Sequence, residues 1–103
     1  MELQNEQAKN LVHELYNAIA SKKDEQFSEI LGVLLKVHAR LAKGQDPVPL
    51  LNRLVNYLYF TAYTNKLSFL KTEESIIREL AQVGKFAGLN GIYRGDYGDA
   101  SQF

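Results

Sequence analysis

Cysteine and tryptophan are absent from the 103 residues, and there are only two prolines and one methionine. Without cysteine the sequence has no disulfide framework, thiolate nucleophile or cysteine-ligated zinc site. Neither sign of charge is in excess, because 12 Lys and Arg residues balance 12 Asp and Glu residues. Proteins that bind nucleic acid normally carry a basic excess that neutralises phosphate. The composition therefore disfavours a nucleic-acid partner.

A long hydrophobic run is also missing. The longest nearly uncharged segment, residues 54–65, is shorter than the roughly 20 apolar residues that a membrane-spanning helix needs. Residues 1–6 lack the basic start and apolar run of a signal peptide. Hydrophobic residues nevertheless make up 46% of the chain, enough for one small core. We expect a single domain over residues 1–103, in the cytoplasm and without membrane insertion.

Four segments repeat apolar residues every three to four positions, which is the spacing of an amphipathic helix. Leu54 lies near the centre of the third apolar stripe and is expected to be a core residue. Short connections favour antiparallel neighbours. The predicted fold is all-α, an antiparallel up-down four-helix bundle with an irregular C-terminal tail. The predicted helices cover about residues 3–21, 25–43, 47–65 and 72–87, and the tail covers residues 88–103.

Helix boundaries are indicated by residues that suit caps. Asp24, Asp46 before Pro47, and Thr72 are the expected N-caps of the second, third and fourth helices. Gly44 and Gly88 suit the C-terminal ends of the second and fourth. In the linker over residues 66–71, Phe69 and Leu70 are expected to tuck under the bundle.

Signatures of catalysis are missing: there is no phosphate loop, nucleophile elbow or H-E-x-x-H motif. His13 falls opposite its apolar stripe and should face solvent. His38 falls inside its stripe, either as a ligand or base or as a histidine at the bundle edge. The edge position is favoured, because no carboxylate shares that stripe and one histidine is too few for a metal site. We expect no catalytic residue, metal or cofactor.

A small helical enzyme acting on an anion would need inward-pointing cations. Arg40, Arg53 and Arg78 all fall outside the apolar stripes. This placement disfavours a buried anion site and leaves a binding protein as the better hypothesis.

The third helix carries aromatic residues on two sides. Tyr59, Phe60 and Tyr63 lie away from its leucine stripe, and Tyr57 lies at the edge. Three arrangements stay open: the helix packs on several sides, the aromatic residues form an exposed patch for a partner, or the tail folds back over part of them. Phe86 would belong to the same cluster. Aromatic residues are common at interface hot spots.

The tail offers a similar choice. Residues 91–99 mix glycine, aromatic residues and both charges, which suits an adaptable binding loop or a frayed end. A frayed end would not need Tyr93, Tyr97 and Phe103, so a binding role is favoured.

Three blocks of sequence are distinctive: VHELYN at residues 12–17, LNRLVNYLYFTAYTNK at residues 51–66 and GLNGIYRGDYGDASQF at residues 88–103. Together they resemble the immunity proteins of class IIa, or pediocin-like, bacteriocins, in particular the enterocin A immunity type. The resemblance covers essentially the whole chain. It implies a cytoplasmic four-helix bundle that is not an enzyme and protects the producer cell.

The resemblance also implies a partner. Proteins of this type are thought to act from inside the cell on membrane components of the mannose phosphotransferase system with bound bacteriocin, so the expected localisation includes association with the inner face of the membrane through that receptor. The C-terminal half is associated with the choice of bacteriocin. With the aromatic face of the third helix, this gives the expected recognition residues of a monomer: Tyr59, Phe60, Tyr63, Lys85, Asn90, Tyr93, Arg94, Asp96 and Tyr97. The alternative is a helical adaptor that binds a soluble cytoplasmic protein.

Overall fold

The computed structural model describes residues 2–84 and residue 103. These residues form four α-helices and one short 3-10 turn, with no strand among them. The predicted fourth-helix residues 85–87 and the tail residues 88–102 lie outside the described part. The elements are α1 (Glu2–Ala20), the 3-10 turn (Glu25–Phe27), α2 (Ser28–Ala42), α3 (Pro47–Asn65) and α4 (Lys71–Val83).

Contacts between helix ends show that neighbouring helices run antiparallel. Asn5 in the first turns of α1 donates to the carbonyl oxygen of Gln45, just beyond α2, at 2.8 Å. At the opposite end of α1, the Lys22 ammonium lies 3.0 Å from Glu73 in the first turn of α4. The predicted all-α bundle is therefore confirmed.

One hydrophobic core joins the four helices. Leu54 has no exposed surface and occupies its centre on α3, as its stripe predicted. Burial of such leucines contributes about 1.5–3 kcal/mol each, which is the main term that holds short helices together. The fully or almost fully buried hydrophobic residues are Ala8, Val12, Leu15 and Ile19 on α1, Ile30, Val33, Leu34, Val37 and Leu41 on α2, Leu50, Leu51, Leu54, Val55, Tyr57 and Leu58 on α3, and Ile77 and Leu80 on α4.

Of the predicted N-caps, Asp46 is confirmed for α3, whereas Asp24 caps the 3-10 turn that precedes α2. The Asp24 carboxylate accepts a hydrogen bond from the backbone N–H of Gln26 at 3.0 Å, and Asp46 accepts from Val48 at 3.1 Å. Gly44 has a φ of +91°, in the left-handed region that follows the end of many helices. These local signals set the start of the 3-10 turn, the end of α2 and the start of α3.

The start of α4 differs from the prediction. The helix begins at Lys71, so Thr72 is inside it and is not the cap. Glu73 instead accepts from the backbone N–H of Leu70 at 2.9 Å, because a carboxylate in the third helical position can reach back to the residue before the helix. Leu70 is 54% exposed and does not tuck under the bundle, whereas Phe69 is half-buried against the Phe27 ring.

The end of α4 also lies before the predicted end at about residue 87. The helix ends at Val83, and Gly84 is its C-cap. Across the described residues, no helix combines the length and apolar character needed to cross a bilayer.

Candidate recognition surface

Tyr57 is the interior residue of the aromatic set on α3. Its side chain has no exposed surface, although its spacing placed it at the stripe edge. The phenol donates a 2.6 Å hydrogen bond to Glu29 Oε2 on α2. Burial, the hydrogen bond to Glu29 and the negative charge of Glu29 raise the pKa of Tyr57 well above its usual range. Tyr57 therefore stays a neutral donor that links α3 to α2.

Phe103 packs edge-on against the Tyr57 ring. Their centroids are 5.5 Å apart and the planes meet at 72°, a favourable geometry for two aromatic rings. Phe103 is itself buried. Of the three arrangements open from sequence, folding back of the tail is thus supported for its last residue, and the residue it covers is Tyr57.

The other aromatic residues of α3 do not share one environment. Tyr59 is half-buried and packs against the core, and Phe60 is also half-buried. Tyr63 is 88% exposed. The expected patch is therefore divided, and Tyr63 is the member that offers most of its surface to a partner.

The end of α3 shapes the surface around Tyr63. Lys66 adopts a left-handed conformation with φ 56°, which turns the chain sharply. The N–H of Leu67 then bonds the carbonyl oxygen of Ala62 at 2.8 Å, satisfying a carbonyl at the helix end. The turn leaves a shallow concavity lined by Ala62, Tyr63, Thr64, Lys66, Leu67 and Ser68. An apolar ring beside a cation gives this surface the mixed character of protein contact sites.

The expected recognition residues beyond α4 lie outside the described part of the chain. They are Lys85, Asn90, Tyr93, Arg94, Asp96 and Tyr97, and Phe86 lies there too. The residues on either side of this segment are described. Gly84 approaches the backbone of α3 so closely that an added Cβ would lie 2.9 Å from the backbone nitrogen of Asn52. Both flanks of the segment, Gly84 and Phe103, therefore rest on α3.

An ion pair with a fully buried carboxylate lies at the opposite end of α4. Glu73 has no exposed surface, and its Oε1 accepts from both the Lys22 ammonium at 3.0 Å and the Leu70 N–H at 2.9 Å. Lys22 also lies 3.9 Å from the centroid of the Phe27 ring. The predicted helix boundaries place Glu73 in the first turn of the fourth helix. Local spacing does not predict its pairing with Lys22, which lies 51 residues away.

The three arginines that fall outside the apolar stripes all keep exposed surface in the structure. Arg78 is exposed and lies 3.9 Å from Glu74, while Arg40 and Arg53 are half-buried. No group of three or more His, Cys, Asp or Glu side chains that could hold a metal ion occurs in residues 2–84 and 103.

The two histidines are placed as expected but lie closer together than the sequence suggested. His13 is exposed and His38 is half-buried at the bundle edge. Their ring centroids are 6.2 Å apart across α1 and α2. Sequence spacing does not predict that these two rings meet, because the register of α1 against α2 is set by packing between the helices.

Among the described residues, the four-helix bundle exposes Tyr63 most strongly of the α3 aromatic residues, and contacts on α3 flank residues 85–102 on both sides. Residues 6–85 match the bacteriocin immunity protein family. The chain is 42% identical over 97 residues to the probable leucocin-A immunity protein of Leuconostoc gelidum, covering 93% of this chain and 86% of that one. It is 43% identical over 99 residues to the probable mesentericin-Y105 immunity protein of Leuconostoc mesenteroides, covering 95% and 88%.

A solved structure agrees. The fold matches the crystal structure of EntA-im with a TM-score of 0.70 and 58% identity, over 93% of this chain and 99% of that one. That protein is described as a bacterial immunity protein that confers immunity to the pediocin-like bacteriocin enterocin A. The chain belongs to the bacteriocin immunity protein family, and the resemblance to its pediocin-like members is confirmed.

Proposed function

We propose that this protein protects the cell that makes it from a pediocin-like bacteriocin by acting in the cytoplasm on the bacteriocin-bound membrane components of the mannose phosphotransferase system. The observation that carries the proposal is the 58% identity, over 93% of the chain, to an immunity protein against enterocin A. Protection of this kind needs binding and no turnover, so no residue is assigned a catalytic role.

The mechanism is differential binding. A protein that binds the bacteriocin-opened receptor more tightly than the resting receptor shifts the population toward the complex that it stabilises. Such a complex can be held in a form that does not leak. A factor of ten in affinity between the two receptor states corresponds to about 1.4 kcal/mol, which a few contacts at an interface can supply.

Charge supports a receptor-dependent mechanism over capture of free peptide. The chain has a formal net charge of zero and therefore no acidic excess that would attract a cationic peptide over long range. Recognition would instead rest on short-range contacts. We assign these to Tyr63, with the half-buried Tyr59 and Phe60 beside it on α3, and to Lys85, Asn90, Tyr93, Arg94, Asp96 and Tyr97.

The first experiment is protection. The chain is expressed in a bacteriocin-sensitive strain that lacks it, and the cells are challenged with a panel of class IIa bacteriocins. Survival against at least one peptide is expected, with no survival gain against an unrelated pore-forming peptide. Equal sensitivity to every peptide, with the protein present at normal levels, would reject the proposal.

A second experiment separates the modes of action. Membranes from the protected strain are solubilised with and without bacteriocin, and the protein is purified through its mannose phosphotransferase partners. Co-purification that depends on bacteriocin is expected, together with weak or undetectable binding of free peptide by calorimetry. Tight binding to free peptide would indicate sequestration. Binding to a soluble cytoplasmic protein, independent of protection, would favour the adaptor alternative.

A further inference from the structure

The two histidines of the chain meet on the surface formed by α1 and α2. Their ring centroids are 6.2 Å apart and the ring planes are tilted by 51°. They border a groove of about 200 Å³ whose other lining residues are Val12, Tyr16, Asn17, Leu34 and Leu35. None of the contacts assigned to recognition above uses this groove, so the pair has no role in the proposed function.

Asn17 holds one of the rings. Its side-chain amide nitrogen lies 3.1 Å from His13 Nε2, one helical turn along α1. An amide can offer either its nitrogen or its oxygen to the ring by turning through 180°, so Nε2 can also donate its N–H to the amide oxygen. In that form the other ring nitrogen, Nδ1, carries a free lone pair. Histidines that ligate metals commonly donate their second ring nitrogen in this way, and Asn17 is placed to receive it.

We propose that His13 and His38 form a binding site for one divalent late transition-metal ion, such as Zn²⁺, Ni²⁺ or Cu²⁺, that links α1 to α2. Imidazole nitrogen is a preferred ligand of these ions. With metal–nitrogen bonds of about 2.0–2.1 Å, a ligating ring has its centroid about 3.2 Å from the ion. Two such rings can span about 6.4 Å, so the observed 6.2 Å separation lies within their joint reach.

A bent nitrogen–metal–nitrogen angle requires the two rings to move closer together, which rotation of the side chains can supply. An angle near the tetrahedral value would bring the centroids to about 5.2 Å. His13 is exposed, so its ring can rotate without disturbing the core. His38 is half-buried and supplies the more fixed ligand.

The site is open. Because no third His, Cys, Asp or Glu joins a cluster within residues 2–84 and 103, water would complete the coordination. The ion is therefore exchangeable, and it acts as a crosslink between two helices. Binding to the folded state alone raises stability in proportion to the logarithm of metal concentration.

The chain is well suited to a clean test, because it contains two histidines and no cysteine. Tag-free protein is melted in increasing Zn²⁺ or Ni²⁺ at about pH 7.5, because metal ligation requires the deprotonated form of the ligands. At a free metal concentration about five times the dissociation constant, the melting temperature should rise by about 4–8 °C. Calorimetry should give one ion per chain, and Mg²⁺, which prefers oxygen ligands, should have no effect.

Substitution of each histidine tests whether His13 and His38 are the metal ligands. His13→Ala and His38→Ala should each abolish the rise in melting temperature, and binding should weaken by more than the roughly 10–100-fold that loss of an outer-shell partner causes. Asn10→Ala, at another exposed site on α1, should respond like the wild type. The proposal is overturned by an absent response, by an undiminished response in either histidine variant, or by a stoichiometry of one ion per two chains, which would mean a bridge between molecules.

Discussion

The Tyr57 hydroxyl donates a 2.6 Å hydrogen bond to Glu29 Oε2 and thereby ties the middle of α3 to the first turn of α2. The bond joins a residue with no exposed surface to a carboxylate at the bundle surface. Hydrogen bonds to charged groups are stronger than neutral ones. We therefore expect this hydrogen bond to stabilise the packing of α3 against α2.

Tyr57→Phe should lower the free energy of unfolding by about 1–2 kcal/mol, because the ring still packs while the charge-assisted bond is lost and Glu29 regains water. Denaturant unfolding near neutral pH measures the change. Glu29→Gln should cost less than Tyr57→Phe, since an amide oxygen can still accept from the phenol. Equal stability of Tyr57→Phe and wild type would show that the bond has no net value.

The same pair predicts a dependence on alkaline pH. Because the folded state raises the pKa of Tyr57, its contribution is complete below the unfolded-state pKa of about 10 and is lost as the pH rises above that value. Wild-type stability should then fall more steeply than that of Tyr57→Phe between pH 9 and 11, by up to about 1.4 kcal/mol per pH unit above 10. The five other tyrosines are common to both proteins and cancel in the comparison. Parallel curves would contradict the prediction.

Phe103 should stabilise the bundle through its contact with Tyr57. Phe103→Ala is expected to cost about 1.5–3 kcal/mol from lost apolar burial, and Phe103→Leu should recover much of it. Thermal or denaturant unfolding gives the values. A change within about 0.5 kcal/mol, as at ordinary surface positions, would mean that the contact contributes little. Removing residues from Asn90 onward deletes this anchor too, so recognition is better tested with point variants.

Two glycines should respond in opposite directions to the same substitution. Gly84→Ala places a Cβ 2.9 Å from the backbone nitrogen of Asn52 and should cost about 1–3 kcal/mol, because backbone must shift. Gly32 lies inside α2, and an added Cβ there meets nothing within 4 Å. Gly32→Ala should therefore stabilise the protein by about 0.5–1 kcal/mol through helix propensity. Unfolding curves of the two variants, recorded side by side, check both signs.

Substitutions of the two members of the Lys22–Glu73 ion pair should differ in their cost to stability. Lys22→Ala leaves the Glu73 carboxylate buried without its cation and should cost about 3–5 kcal/mol. Glu73→Gln removes the charge but keeps an oxygen for the Leu70 N–H, so the loss should be smaller. Chemical denaturation of both variants tests the order. The reverse order would indicate that the charge on Glu73 is not the costly element.

Recognition should separate from stability at Tyr63 and Arg94. Tyr63 is 88% exposed, so Tyr63→Ala should change stability by less than about 0.5 kcal/mol while reducing protection of sensitive cells. Arg94→Ala should act in the same way if its guanidinium bonds a carboxylate or carbonyl of the partner. Asn10→Ala on the surface of α1 serves as the matched control. Full protection by both variants would remove these residues from the recognition surface.

Periodicity predicted the bundle because burial follows the helical repeat. The stripes around Leu15, Leu34 and Leu54 all lie in the core. Asp46 caps α3 as predicted, and Asp24 caps the 3-10 turn that leads into α2. Thr72 was wrong as a cap because Glu73, one residue further, bonds the N–H of Leu70.

Side-chain contacts between residues far apart in sequence could not be predicted from helical periodicity. Tyr57 finds its acceptor 28 residues away, and Lys22 finds Glu73 at a separation of 51. The pairing of His13 with His38 depends on how α1 and α2 slide against one another. Sequence spacing fixes the face of a helix on which a residue lies, whereas these contacts are set by the axial register between helices.

Anchoring at both Gly84 and Phe103 has a consequence for how this molecule tolerates change. The 18 residues 85–102 join two points that are each packed on α3. Closing a chain segment costs free energy that grows only logarithmically, by about 0.6 kcal/mol for each doubling of length. Segments of different length joined between these two anchors should therefore cost the bundle little loop-closure free energy, so the length of this part of the chain can change without loss of the fold.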